Sequence, residues 1–141
     1  MHLQKGNFTK DDKGENMVAK TVIWGIETCV EVDVCDQPFS KADMSEVNNR
    51  LRYIEEHKSL IIGEIVANAS GKRKNKNSSS QDFAKALHVT NIWICPARDY
   101  FVDILLNNDQ SDYITLSIND KYEMTFLEIG DEVIYDDDET A

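Results

Sequence analysis

The sequence predicts an α+β domain, an antiparallel sheet with helices packed on one face. Three observations carry that reading. Apolar residues alternate with period two from Thr28 to Asp36 and again in short runs from Ile92 to Ile129. Between Ser40 and Ala69 the apolar spacing is helical instead. Short polar turns separate the late strands. Strands, then helices, then strands joined by tight turns describe an α+β layer arrangement. The expected order is two N-terminal strands, a helical middle and a C-terminal four-strand meander. A chain of 141 residues fits one domain over 1–141, and that length buries a core without disulfides or metal.

Residues 1–16 are polar and read as a flexible N-terminus, with Asp11-Asp12-Lys13-Gly14 as a turn and Gly6 to Thr9 as a short edge strand. Val22-Ile23-Trp24 is a strand, and Gly25 marks a bulge or tight reversal. In the next strand Val30, Val32 and Val34 face one way, while Cys29, Glu31, Asp33 and Cys35 face the other. Pro38 and Ser40 open a helix, and Ser40-Lys41-Ala42-Asp43 has the form of a capping box with Asp in place of Glu. Met44, Val47, Leu51 and Ile54 form its apolar stripe, with Asn48, Arg52 and Glu55 on other faces. It ends near His57-Lys58. A second helix runs from Ser59 to Ala69 with Ile61, Ile62, Ile65 and Val66 inward and Gly71 as its stop.

Residues 71–80, which include Lys72-Arg73-Lys74-Asn75-Lys76, read as a mobile basic loop. Ser79 to Asp82 caps a short helix carrying Phe83 and Leu87. The sheet resumes at His88, with strands through Ile92 and Ile94, from Tyr100 to Leu106, from Tyr113 to Ile118 and from Tyr122 to Ile129. Residues 131–141 are an acidic tail in which Val133-Ile134-Tyr135 pairs briefly.

Charge is distributed unevenly. Residues 99–141 hold 13 of the 26 acidic side chains and a single basic one, Lys121, so the net charge of -11 arises at this end. No apolar run approaches the ~20 residues that span a bilayer. The first six residues, Met1 to Gly6, carry no apolar signal region. A cytoplasmic location is expected, and with it three reduced cysteines, Cys29, Cys35 and Cys95. Their strand-like settings suggest small buried side chains, with a pair across strands, or redox or metal use, as the alternatives.

No chemistry-bearing motif stands out. The histidines, His2, His57 and His88, have no zinc-type spacing to a cysteine. Cys29 and Cys35 lie too far apart along a strand to share an ion. Asn107, Asp109 and Ser111 alternate as calcium ligands do, but the glycine and glutamate of a calcium loop are missing, and a hairpin turn accounts for them. There is no nucleophile elbow and no phosphate loop. Glu55-Glu56 is a charged helix face. The basic cluster lacks the interleaved aromatics of single-strand binders. No metal, no cofactor and no catalytic residues are expected, and the chain is read as a non-enzyme without direct nucleic-acid or membrane binding.

Two resemblances exist. Gly6-x-Phe8, Trp24-Gly25 followed by an alternating strand, a helical middle and the segment from Phe83 to Tyr100 resemble the layout of a family of uncharacterised bacterial single domains. Where that family carries an aromatic-Gly-His signature, this chain reads Asp112-Tyr113-Ile114-Thr115. In type, small, acidic, α+β and without motifs, the chain is similar to the immunity proteins of bacterial toxin systems. That likeness implies an inhibitor that occludes a basic toxin, a nuclease in the first instance, through an acidic face. The residues expected to bind such a partner are Asp103, Asp112, Asp120, Glu123, Glu128, Asp131 and Glu132. An adaptor that binds through its helical side is the alternative, and an enzyme with a scattered site the third reading.

Overall fold

The computed structural model describes residues 3–69, 84–107, 113–130 and 132–136, with only the backbone of Ala69, Glu132 and 134–136. Eight strands form one sheet whose spatial order follows chain order. They are β1 (Thr9–Lys10), β2 (Met17–Ile23), β3 (Ile26–Val32), β4 (His88–Cys95), β5 (Phe101–Asn107), β6 (Tyr113–Ile118), β7 (Met124–Ile129) and β8 (Glu132–Asp136). Two long helices, α1 (Lys41–Glu56) and α2 (Lys58–Ala69), lie in the chain between β3 and β4, and residues 84–86 are helical where a short helix is expected before Leu87. The expected α+β class holds, the edge strand expected over Gly6 to Thr9 forms at Thr9–Lys10, and the segment expected to pair briefly at Val133 is strand β8. Three strands precede the helices, and five follow once β8 joins the meander.

The expectation of a wholly antiparallel sheet is corrected at one seam. β3 and β4 run parallel, with Val30 beside Ile92 and Val32 beside Ile94. All the other neighbouring strands are antiparallel. A parallel pair requires a long crossover, and α1 and α2 supply it. Periodicity tells which face of a strand is buried. It carries no information on direction relative to a strand far away in the chain.

One face of the sheet is the core. In register, Val30, Ile92, Ile104 and Leu116 follow one another across β3 to β6, and Leu127 continues the row on β7. All are buried against Val47, Leu51 and Ile54 of α1 and Ile61, Ile62 and Ile65 of α2. Each such side chain contributes about 1.5–3 kcal/mol on burial, so this row and its helix partners dominate stability. The expected apolar stripes of both helices are those observed, although Asn48, expected on an outer face, is buried. It sits one residue past Val47 on the same turn, within the width of the core-facing stripe.

Asn48 explains a second difference. Within the first sixteen residues, expected to be flexible, Leu3 and Phe8 are buried in the core. Leu3 N–H donates to Asn48 Oδ1 at 2.8 Å, and Asn48 Nδ2 donates back to Leu3 O at 2.8 Å. A 3-10 turn over Lys5–Asn7 follows, and β1 then pairs with β2. Phe8 packs edge-on against Phe39 at 5.7 Å between ring centroids.

The start of α1 is the predicted capping box. Asp43 N–H donates to Ser40 Oγ at 3.0 Å, and Ser40 N–H donates to Asp43 Oδ2 at 3.0 Å. The same carboxylate accepts the Tyr100 hydroxyl, tying the β4–β5 turn to the helix. At the other end the strand through Val22 stops at Ile23, because Trp24 and Gly25 form a two-residue hairpin turn with φ of 52° and 83°. Both central residues in the left-handed region mark a type I′ turn. A tryptophan there is strained. Its N–H donates to Glu55 Oε2 at 2.9 Å and its indole Nε1 donates to Ile54 O at 2.9 Å, which offsets the strain by docking the turn on the end of α1.

Two outcomes are expected from these contacts. Asn48→Ala leaves the Leu3 amide and carbonyl without partners in a buried place, and lowers stability by about 2–3 kcal/mol in urea unfolding. Asp43 is held below the ordinary carboxylate range, first by the Tyr100 hydroxyl and then by the Ser40 amide. A carboxyl with a lowered folded pKa stabilises above the unfolded value of about 3.9, and this contribution is lost as pH falls through the folded value. Asp43→Ala is therefore expected to cost about 1–2 kcal/mol at pH 7. The gap to the parent chain should narrow as unfolding is repeated at lower pH, through and below that range.

Candidate functional site

Both helices belong to the single crossover, and they cover a single face. The opposite face of the sheet is left uncovered by the described residues. Alternation places Val18, Lys20 and Val22 of β2, Cys29 and Glu31 of β3, and Asn91 and Trp93 of β4 on it. Asp103 and Leu105 of β5, Thr115 and Ser117 of β6, and Phe126 and Glu128 of β7 continue the same two rows. One row reads Glu31, Trp93, Asp103, Ser117, Phe126 from strand to strand.

This face differs from an ordinary solvated sheet surface in two ways. First, it carries exposed apolar bulk. Six large apolar residues are exposed among those described: Val22, Ile26, Leu60, Leu105, Tyr113 and Val133. Val22, Leu105, Tyr113 and Val133 all project here, Tyr113 with 65% of its surface open. Second, its charge is mostly of one sign. The strand positions contribute the carboxylates Glu27, Glu31, Asp103 and Glu128 against one ammonium, Lys20. Lys20 lies 3.7 Å from Glu27, with both side chains about 70% exposed, a geometry worth little energetically. Glu31 accepts from Asn16 Nδ2 at 2.6 Å, and Asp103 accepts the Ser117 hydroxyl. Those bonds hold two carboxylates in fixed rotamers. At the end of the face the Arg98 guanidinium lies over the Phe101 ring, 5.2 Å from its centroid.

The acidic residues expected to bind a partner are divided by the structure. Asp103 and Glu128 share the uncovered face. Asp120 and Glu123 sit instead at the turn between β6 and β7. That turn is organised by Asn119, whose Oδ1 accepts from the N–H groups of Lys121 and Glu123 at 2.9 Å each. Glu123 in turn accepts from Asn119 Nδ2 at 3.1 Å. Asp112 and Asp131 fall outside the described residues, and Glu132 is described only as backbone in β8. The basic loop at 71–80, the carboxylate of Asp109 and most of the acidic tail also fall outside them. Sequence reasoning missed Glu31 and Trp93 as members of the face. The outward parity of Glu31 was legible, but its neighbours on β4 were not.

The turn between β6 and β7 is held from the helix side by Arg50, which the sequence reading passed over. Arg50 is buried, pairs with Glu46 at 3.6 Å, and donates to the carbonyls of Asn119 at 3.4 Å and Asp120 at 3.2 Å. Its guanidinium lies 4.4 Å from the centroid of the Tyr122 ring, which packs at a tilt against Tyr53. A planar cation with several donors is suited to two carbonyls and a ring at once.

The cysteines are not uniformly buried, as had been expected. Cys95 is 2% exposed, Cys29 is half-buried, and Cys35 is exposed. Cys35 lies beyond β3 in a left-handed turn with Asp36, at φ of 50° and 61°, so strand parity does not govern it. Its Sγ–H donates to Asp33 Oδ1 at 3.2 Å, and this bond pushes the thiol up to about 11. Asp33, Cys35 and Cys95 converge with their ligand atoms within 4.8 Å of one another. Burial, then the Glu31 carboxylate, raises Cys29.

Other titratable groups are engaged structurally. Burial and the Asp43 carboxylate push Tyr100 up to about 12. A groove of about 390 Å³ between Leu3, Lys5 and α1 is lined by Met44, Asn48 and Arg52, without a converging acid–base pair. No helix among the described residues is long and apolar enough to cross a membrane. Compared with family models, curated proteins and solved structures, the chain matches none.

Arg50→Ala is expected to cost about 2–3 kcal/mol in chemical unfolding, since it leaves the carbonyls of Asn119 and Asp120 without their donor. Arg50→Lys should recover only part, because one ammonium cannot span the same contacts. A loss below about 0.5 kcal/mol for the alanine variant would mean that Asn119 alone organises the turn.

Proposed function

We propose that this chain is an inhibitory binding protein that docks the uncovered face of its sheet on a basic protein surface. The observation that carries the reading is the coincidence, on that one face, of carboxylates, two of them held by hydrogen bonds, with exposed or half-buried apolar side chains. Asp103, Glu128 and Glu31 alternate with Trp93, Leu105 and Phe126, and Tyr113 stands open at the edge of the row. Acids alone would serve solubility, and apolar residues alone would fit many partners. Together they suit a partner with cationic and apolar features side by side.

Aromatic and aliphatic anchors supply the desolvated centre of such an interface, and charge supplies orientation and encounter rate. A basic surface with apolar side chains beside the cations is typical of proteins that grip nucleic-acid phosphates. The carboxylates would take the place of those phosphates, and occlusion of the substrate surface would be the mechanism. A nuclease toxin is the partner class that best joins this chemistry to the size and acidity of the chain. The net charge of -11 adds long-range attraction that salt screens over about 8 Å at physiological strength.

The test uses the full chain as bait for host proteins, followed by kinetics with the captured partner. The triple variant Glu31→Gln, Asp103→Asn, Glu128→Gln is expected to associate about tenfold more slowly and with a flatter salt dependence. Leu105→Ala and Tyr113→Ala should act on dissociation instead. The pair Asp120→Asn, Glu123→Gln should stay within about twofold of the parent chain. If the turn variants lose binding while the face variants keep it, the uncovered face is not the interface. Binding that responds only to substitutions on α1 or α2 would favour an adaptor using its helical side. A partner whose activity is unaffected when bound would exclude inhibition.

A further inference from the structure

The convergence of Asp33, Cys35 and Cys95 has a definite chemical character. The parallel seam continues one residue past Val32, because Asp33 N–H donates to Ile94 O at 2.9 Å. That pairing sets Asp33 beside Cys95 on the same side of the sheet. After Val34 the chain turns back through the left-handed residues Cys35 and Asp36. Cys35 N–H donates to Asp33 Oδ1 at 3.1 Å, which fixes the return. The Cys35 sulfur thereby meets both Asp33, two residues back in the same turn, and Cys95 on the neighbouring strand.

We propose that Asp33, Cys35 and Cys95 form a site for a thiophilic divalent cation of the zinc class, with a fourth position open to solvent or to a further donor. Two sulfurs and one carboxylate oxygen are donors that zinc takes, whereas calcium and magnesium prefer oxygen alone. The distances fit. Zinc–sulfur bonds of about 2.3 Å and zinc–oxygen bonds of about 2.0–2.2 Å imply ligand-to-ligand edges of roughly 3.5–3.8 Å around a tetrahedron. The Cys35 sulfur and the Asp33 oxygen stand at 3.2 Å, and all three ligand atoms lie within 4.8 Å of one another, so changes of up to about 1 Å in their separations close the site. A disulfide would engage only the two sulfurs, whereas a metal ion would engage the carboxylate as well.

Binding releases the two thiol protons to solvent and forms two metal–thiolate bonds and one metal–carboxylate bond. The ion would clip β3 to β4 at their parallel seam and hold the left-handed turn after β3.

The experiment titrates the reduced, chelator-treated full chain with cobalt(II), following thiolate-to-cobalt charge-transfer absorption, and with zinc(II), followed by native mass spectrometry and thermal unfolding. One metal per chain, a tetrahedral cobalt spectrum and a raised unfolding temperature with zinc are expected. Cys35→Ser, at an exposed position, should weaken binding by about 100-fold or more, and Asp33→Asn by about tenfold or more. Cys29→Ser, outside the cluster, should leave binding unchanged. Circular dichroism of each variant separates loss of the site from loss of the fold. No thiolate–cobalt absorption in the reduced protein overturns the site, as does unchanged affinity in Cys35→Ser. Formation of a Cys35–Cys95 disulfide in air, with no metal bound by the reduced form, assigns the pair to redox chemistry instead.

Discussion

The parallel pairing of β3 with β4 is the constraint from which the rest of the architecture follows. Every other connection between neighbouring strands can be a short turn, because antiparallel neighbours meet at the same end. β3 and β4 cannot be joined in that way. The chain must return along the length of the sheet, and it does so through α1 and α2. A single crossover lands on a single face. One side of the sheet is therefore packed with Val30, Ile92, Ile104 and Leu116 against the helices, and no second crossover exists among the described residues to cover the other side. The uncovered face is a topological consequence as much as a chemical one.

Within the covered layer, α1 gathers the turns. Asp43 holds the Tyr100 hydroxyl, Asn48 holds Leu3, Arg50 holds the carbonyls of Asn119 and Asp120, and Glu55 holds the amide of Trp24. Four chain segments remote from one another are thus fastened to one helix by hydrogen bonds, most of them to ionised or amide side chains. Such bonds gain strength where solvent is excluded, and their partners become costly to abandon. Left-handed residues concentrate at the same turns: Trp24, Tyr100 and Tyr122. The helix contacts stabilise backbone conformations that the isolated turns would seldom adopt.

The electrostatic picture changes on folding. In the sequence, acidity belongs to the last third of the chain. On the sheet, Glu27 and Glu31 from β2–β3 side of the fold stand in the same field as Asp103 and Glu128, while Asp120 and Glu123 are drawn into a turn anchored by Asn119 and Arg50. A charge count along the chain finds the acids. Strand register decides which of them act together, since neighbouring strands lie only about 5 Å apart and bring distant residues into one row.

The sequence by itself determined the local elements. The capping box at Ser40, the stripe of Met44, Val47, Leu51 and Ile54, and the alternation of Val30 with Glu31 were all legible, because each depends on residues within one or two turns or pleats. Asp103 and Glu128 as outward acids were legible for the same reason. Only the tertiary structure decided the parallel seam, the burial of Asn48 and Arg50, and the meeting of Cys35 with Cys95. Each of these joins groups far apart in the chain, and their partners are chosen by strand order and direction. Local periodicity is silent on both, because a strand buries the same side chains whichever way its neighbour runs.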